Sequence, residues 1–500
     1  MDSLRALFVS YRERNDTMDN VISRAEKTRL VLDEFRALAA IPHPSAAEQA
    51  VGDHLEQSLR AAGLAVYRDT CGNLIAEKQA SAGCEAWPTT ILQAHMDMVC
   101  VSADGVAYDK YTDPIRLVED GDYLKADGTS LGADDGIGVA VIMVILKDQT
   151  LVHGPVRAIF TVEEETSMRG ASQLDAKWLD GDYLINCDSE EVDVITVSSA
   201  GGMHIDARLI CERADRREET TVCQIEVGGL LGGHSGVDIH KGRANAILVT
   251  ADILAQLDGV RLIRFDGGMA RNAIPARVRA LVEMPVEKIS EAEHFLQAET
   301  ARLRTAYPAE SGLTITLRET KCDELPMTDD AMARLISFCR QLPNGVRSMH
   351  QAIPSLVESS SNVGVAETSG DIVEFRLHPR SSNESDMAWY RQVVGDIAKS
   401  CKMEADFYGE IPAWPLANDN RLAQLASAVY EKQNGSPMKI EACHAGLECS
   451  YFYRKNPNLK LISIGPTVEH VHSPQERIVI DTIAVHLDLI IGILAEMGAR

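Results

Sequence analysis

Residues Ile91–Val99, ILQAHMDMV, form an apolar, strand-like run that ends in His95 and Asp97, and endings of this kind recur along the chain. Side chains alternate faces along a strand, so residues two apart point the same way. The imidazole and the carboxylate therefore share one face at the strand's exit. The run Val156–Val162 leads into Glu163, Glu164 and Glu165, and Asp182–Cys187 leads into Asp188, Ser189, Glu190 and Glu191. Late in the chain, SIGPTVEHVHSPQE takes another strand through a Gly/Pro turn to His472, with His470 as the competing imidazole. There, HSP followed by Glu476 reads as a helix start, which would fix His472 more firmly than its neighbour. In open α/β sheets ligands bind at the C-terminal edge of the strands. A chain that gathers acids and imidazoles at that edge is held to an α/β arrangement with its site there.

Each cluster also has a plainer reading. Gly132, Asp134 and Asp135 precede Ile137–Leu146, which is apolar all round and reads as a buried helix. One Asp there could simply cap the helix. Capping needs one carboxylate, however, and the chain offers two among glycines that let the backbone approach a ligand closely. Glu163–Glu165 could be a solvated loop cluster, but three acids at the exit of a buried strand repel one another unless a cation neutralises them. His43, between two prolines, reads as a loop residue.

The remaining pattern separates into two kinds of segment. Helices are expected over Thr28–Ala40, ending at IPHPS, and over Ala46–Ala62, followed by a strand pair around Cys71-Gly72. Residues 1 to about 25 form a polar, amphipathic extension with no assignable chemistry. Near Ala200-Gly201-Gly202 the strands become alternating and antiparallel in character, with helices at Ala244–Leu257, Ser290–Arg304, Asp329–Gln341 and Ser385–Ser400. This is an α+β insertion reaching about Ile411. PAWPLAND then marks the return to the first domain, which ends in helices Arg421–Gln433 and Asp481–Met497. The expected fold is an α/β domain with a mixed sheet flanked by helices, made of residues 1–200 and 412–500, with 201–411 inserted. Five hundred residues exceed one hydrophobic core in any case.

A net charge of −25 argues against nucleic-acid and anionic-membrane partners, and part of it suits carboxylates that bind cations. There is no apolar run long enough to span a bilayer, and MDSLRALFVSYRERND is too charged for a signal peptide. Eleven cysteines without CxxC pairs fit reduced thiols in the cytoplasm.

His95, Asp134, Glu165, Asp188 and His472 are too many donors for one tetrahedral zinc and suit two divalent ions if one carboxylate bridges. This N/O mixture favours zinc, with cobalt or manganese as alternatives. Glu164, beside Glu165, can take a proton from water and deliver it to a leaving amine, which is amide hydrolysis. No serine nucleophile is required, and GGHSG (Gly232–Gly236) lacks the GxSxG spacing of a nucleophile elbow.

HMD, GADDGIG, the Glu164-Glu165 pair, Asp188 of INCDSEE, GGHSG, RNAIP and the late HSP occur in the order seen in the aminoacylase/carboxypeptidase G superfamily of di-zinc metallopeptidases. IPHPS, LGADDGIG, VHGP, GGHSGVDIH, FDGGMARNAIP, PNGV, HAGLEC and SIGPT further resemble the aminoacyl-histidine dipeptidase (Xaa-His dipeptidase) family, from about Val31 to the C-terminus. The resemblance implies that His95 and Asp188 bind one ion, that Glu165 and His472 bind the other, and that Asp134 bridges them. Asp97 would clamp the His95 ring and Glu164 would be the general base. It makes the insertion a lid and dimerisation domain whose His234, Asn272 and Arg380 contact substrate, Arg380 through the substrate's carboxylate. Glu448 is a candidate for holding the substrate's free amine, with a structural loop acid as the equal alternative.

Two features depart from the family pattern: EETS stands where EEAG is expected, and Asp135 stands where close relatives carry asparagine. The expected activity is that of a cytoplasmic, homodimeric di-zinc dipeptidase acting on Xaa-His and related dipeptides. An N-acyl-amino-acid amidohydrolase of the same superfamily is the nearest alternative. A non-catalytic metal-dependent binding protein is the more distant one, disfavoured because a purely structural site needs no spare base.

Overall fold

A computed structural model of the chain describes residues 22–351, 353–417 and 419–498. Most of the expected N-terminal extension lies outside the described residues. The chain divides into two compact units, one of residues 1–197, 417–441 and 455–500, the other of residues 198–416 and 442–454.

Among the described residues, eight strands form the main sheet of the first unit, with Thr90–His95 between Val156–Thr161 and Tyr183–Asn186. Both pairings are parallel, as is that of Tyr183–Asn186 with Lys460–Ser463. The hairpin Ala65–Arg68 and Leu74–Lys78 is added antiparallel beyond Val156–Thr161, so the sheet is mixed. Thr90–His95 is buried along its whole length, as expected of a central strand covered on both faces. A polar ladder fixes its register: Asn186 Nδ2 donates to Gln93 Oε1 at 2.6 Å, and Gln93 Nε2 donates to Thr161 Oγ1 at 3.1 Å. Because these strands are parallel, the residues that follow them emerge at one end of the sheet.

The Ala133–Lys147 helix has twelve buried residues, in keeping with its all-round apolar sequence. Charged side chains from elsewhere in the unit hold both ends. Lys78 Nζ donates to the carbonyls of Ile145 (2.8 Å), Leu146 (3.1 Å) and Asp148, satisfying acceptors that a helix C-terminus leaves open. At the other end, the Glu476 carboxylate accepts from the N–H groups of Leu131 (2.8 Å), Gly132 (3.1 Å) and Ala133 (2.8 Å). Glu476 therefore caps a helix more than 300 residues earlier. The helix expected after His472 is not there: Val468–Glu469 and Arg477–Val479 are paired strands, and His470 and His472 lie in the loop between them.

In the second unit, Gly201–Ile210 is mostly buried and pairs antiparallel with Ile372–Leu377 and Glu404–Ile411. Met203, Ile205, Ala207 and Leu209 join Cys223, Ile225, Val227, Phe265 and Phe375 in one core, with helices Ala246–Leu254, Ile289–Ala306 and Asp329–Gln341 contributing. None of the described helices is long and apolar enough to cross a membrane. All eleven cysteines are free thiols.

His486, in the C-terminal helix Ile480–Glu496, is fully buried, and neither ring nitrogen has a partner among the described residues. Burial alone holds its pKa down at about 3. Below the ordinary histidine range the unfolded chain takes up a proton that the folded chain refuses, so stability is lost as pH falls from about 6.5 toward 3. His486→Leu is expected to raise stability by about 1–3 kcal/mol by removing the unpaired nitrogens. It should also remove a slope of up to about 1.4 kcal/mol per pH unit on the acid side. Urea melts of both proteins between pH 5 and 8 test this. Equal stability and parallel pH dependence would show that the ring is satisfied after all.

Candidate metal centre

His95 closes its strand with the ring 1 % exposed. Its Nδ1–H donates to the backbone carbonyl of Asp97 at 2.9 Å. In the neutral ring that leaves the lone pair on Nε2, the nitrogen facing the acids. Nε2 lies 3.1 Å from Asp134 Oδ1 and 3.6 Å from Asp188 Oδ1. The other oxygen of Asp134, Oδ2, lies 3.1 Å from His472 Nε2, which is also 3.1 Å from Glu165 Oε1. Asp134 thus stands between two imidazoles, one with Asp188 and the other with Glu165. His472, at φ +59°, faces this cluster from its hairpin loop; both it and His470 are exposed, and the His470 carbonyl accepts from Ser473 Oγ.

The Asp97 carboxylate lies 3.5 Å from His95 Nδ1. Its shorter bonds go elsewhere: it accepts from Ser45 Oγ (2.7 Å) and from the backbone N–H groups of Glu164 (2.9 Å) and Glu165 (3.2 Å). Glu163, which sequence alone does not separate from its neighbours, is turned to Arg169 at 2.7 Å and to Ser167 Oγ at 3.3 Å. Ser167, standing where the family pattern has glycine, thus serves to anchor Glu163. Asp135 is buried, with one oxygen accepting from the His95 N–H at 3.2 Å, and the Asp134–Asp135 peptide bond is cis.

The donors fit divalent cations. Single ligand atoms of His95, Asp134 and Glu165, and separately of His95, Asp135 and Asp188, lie within 4.8 Å of one another. Burial and the Asp134 charge push the carboxyls of Glu165 and Asp188 upward. Burial opposes ionisation of Asp134 too, but hydrogen bonds from His472 and His95 outweigh it and hold its pKa below the carboxylate range. Hydrogen bonds to Asp134 and Glu165 raise His472 to about 11. The four carboxylates of Asp134, Asp135, Glu165 and Asp188 thus outnumber the imidazoles of His95 and His472 beside them, a balance that favours cation binding.

His234, Asn272, Arg380 and Glu448 belong to the second unit. The loop carrying His234 is tied down at both ends by buried Glu310, which accepts from Leu231 N–H (2.8 Å) and Ala244 N–H (3.1 Å). His234 Nδ1 accepts from the N–H groups of Gly236 (3.3 Å) and Val237 (3.2 Å), so in the neutral ring Nε2 bears the proton and can donate. Asn272 is exposed beside this loop, its carbonyl accepting from Ser235 N–H at 2.7 Å. Arg380 is 6 % exposed, its Nε has no partner, and no carboxylate among the described residues is paired with it. Burial lowers its pKa to about 10, so an anionic ligand would find a desolvated, uncompensated guanidinium there. Glu448 is fully buried at the start of the Cys449–Lys455 helix, its carbonyl accepting from Tyr451 N–H at 2.9 Å.

Ser45 and Glu48 were not legible in the sequence as contributors to this centre, and Glu476 suggested a different part, at the start of a helix; each acts on residues far away in sequence.

The signature of Peptidase family M20/M25/M40 matches residues 91–496. A cytosol non-specific dipeptidase of Escherichia coli (strain K12) is 32 % identical over 473 residues, covering 94 % of this chain and 97 % of the relative. The crystal structure of an aminoacylhistidine dipeptidase from Vibrio alginolyticus aligns with a TM-score of 0.83 at 33 % identity, covering 93 % of this chain and 96 % of that one. A tripeptidase from Staphylococcus aureus aligns at 0.55 with 16 % identity over 95 % and 99 % of the two chains, a likeness of fold alone.

Proposed function

The chain belongs to peptidase family M20/M25/M40, and from that premise we propose how it works as a metal-dependent dipeptidase. The observation that carries the reading is Asp134, whose two oxygens lie 3.1 Å from Nε2 of His95 and of His472 respectively. His95 with Asp188 would hold one divalent ion and His472 with Glu165 the other, Asp134 bridging. This N/O donor set favours zinc, with cobalt or manganese as alternatives. The ions would supply Lewis acidity for the scissile carbonyl and the attacking water. Glu164 takes the proton from water and returns it to the departing amine. Asp97 fixes the turn that carries Glu164, through the two N–H bonds described above. Arg380 would receive the substrate's C-terminal carboxylate, Asn272 would contact the substrate as well, and Glu448 is retained as a candidate for the substrate's amine.

The substrates are dipeptides, and we propose Xaa-His dipeptides among them, following the name of the Vibrio relative. The Escherichia coli relative is named for the cytosol, which supports a cytoplasmic location. Metal analysis of the purified protein coupled to hydrolysis of Ala-His beside N-acetyl-histidine tests the reading. Turnover of only the N-acetyl compound would replace it with an amidohydrolase.

We also propose that the second unit is a lid and dimerisation domain, the protein being a homodimer in which His234 serves the other subunit's site as an oxyanion donor. Its donor Nε2 supports this role. His234→Ala should lower kcat and leave metal content intact. Mixing His234→Ala with Glu164→Gln chains should then restore up to about half activity per heterodimer, since one of its two sites carries neither lesion. Absence of recovery after confirmed subunit exchange would place His234 in its own subunit's site or in a structural role.

A further inference from the structure

Three consecutive backbone N–H groups carry the proposed base and its neighbours, and each is held by a carboxylate. Those of Glu164 and Glu165 donate to Asp97, and that of Glu163 donates to Glu48 Oε1 at 2.9 Å. Ser45 Oγ donates in turn to Asp97 at 2.7 Å. Ser45 and Glu48 come from one short stretch, PSAAE, which also lies along the end of the His95 strand: Met98 N–H donates to the His43 carbonyl at 3.3 Å, and Pro44 bridges Met98.

Glu48 occupies the N-cap of the Gln49–Ala61 helix but makes no side-chain bond to that helix. An acid at this position ordinarily accepts one of the helix's own first N–H groups. Here Oε1 accepts instead from Ala46 N–H (3.0 Å) and from Glu163, 115 residues away. Ala46 and Glu163 both lie in the left-handed region, at φ +67° and +54°. Residues other than glycine stay there only where their surroundings over-determine them. One oxygen of a side chain only 5 % exposed therefore ties together two strained positions, and one of them opens the turn bearing Glu164.

We propose that Ser45 and Glu48 are positioning residues for the reaction, bracing the Glu163–Glu165 turn so that Glu164 and Glu165 keep the alignment that proton transfer and metal binding require. The proposal rests on the assignment of Glu164 as base and Glu165 as ligand. A displacement of about 1 Å at such a group lowers turnover by about 10²-fold. Glu48→Ala is accordingly expected to lower kcat for Ala-His by about 10–100-fold with KM changed less than about twofold. In zinc titrations of the ion-free chain it should weaken affinity by about tenfold. Glu48→Gln keeps an oxygen acceptor of the same reach and should recover both values to within about threefold. Ser45→Ala should show a smaller loss of the same kind, restored by Ser45→Thr; this pair decides the matter if Glu48→Ala does not fold. A Glu48→Ala chain with a lowered melting temperature but unchanged kcat and zinc affinity would overturn the brace, leaving Glu48 a merely structural acid. If Glu164→Gln proved fully active, the assignment of the base would fall, while the zinc titrations would still judge the bracing of Glu165.

Discussion

Glu164→Gln is expected to retain wild-type metal stoichiometry while kcat falls by about 10²–10⁴-fold, the usual worth of general acid–base catalysis. The substitution preserves volume and backbone, and the bond that places the residue, from its own N–H to Asp97, does not involve the side chain. What is lost is a carboxylate able to accept a proton from water. KM should move little, because a general base acts in the transition state. Metal analysis alongside steady-state kinetics on Ala-His separates the two effects. Near-wild-type turnover would send the search for a base elsewhere, and Glu163, paired with Arg169, would first have to leave that partner.

His472→Ala is expected to act on binding and turnover together. Its Nε2 faces both Asp134 and Glu165, so its loss removes the imidazole shared by these two carboxylates. Metal content should fall toward one ion per chain, and kcat/KM by more than about 10²-fold, beyond the effect of losing an outer-shell partner. His95→Ala should do the same from the opposite side. His470→Ala is the matched control, because His470 shares the same hairpin loop and its recorded bond to Ser473 Oγ is made by the backbone carbonyl. Full activity and unchanged metal content in His472→Ala would remove histidine 472 from the ligand set.

The sequence signalled the inner strands of the first-unit sheet because they are apolar and chemistry-bearing residues follow at their exits, whereas Lys439–Cys443 at its edge is mostly exposed and gives no such signal. The Thr90–His95 strand could hardly be misread, since all six of its residues are buried. Leu117–Asp120 and Gly345–Met349, by contrast, are short and mostly solvent-facing, so they carry no apolar alternation to detect. The Glu476 error has a different cause. Ser-Pro-Gln-Glu satisfies the local rules for beginning a helix, yet its acid is used by N–H groups 343 to 345 residues away, and local rules contain no information at that range. Residue type, with a strand exit or a helix start beside it, was enough to mark the candidate donors. The bonds that aim them could not be marked in this way, because most arise from backbone N–H groups that every sequence possesses.

The grip of Glu476 on the Ala133–Lys147 helix, with His472 a few residues before it, also sets an order of events in folding. Asp134 and His472 are 338 positions apart, and the whole of the second unit lies between them. During synthesis, residues 198–416 emerge before the segment bearing His472, so most of the second unit is available to fold while the first still lacks its closing strands. The pairing that completes the centre is of very high sequence separation, and such contacts form late because closing the chain over that distance is entropically unfavourable. Hydrolytic competence therefore comes at the end of folding, and a nascent chain stays inert toward the peptides around it until the last part of its first unit has docked.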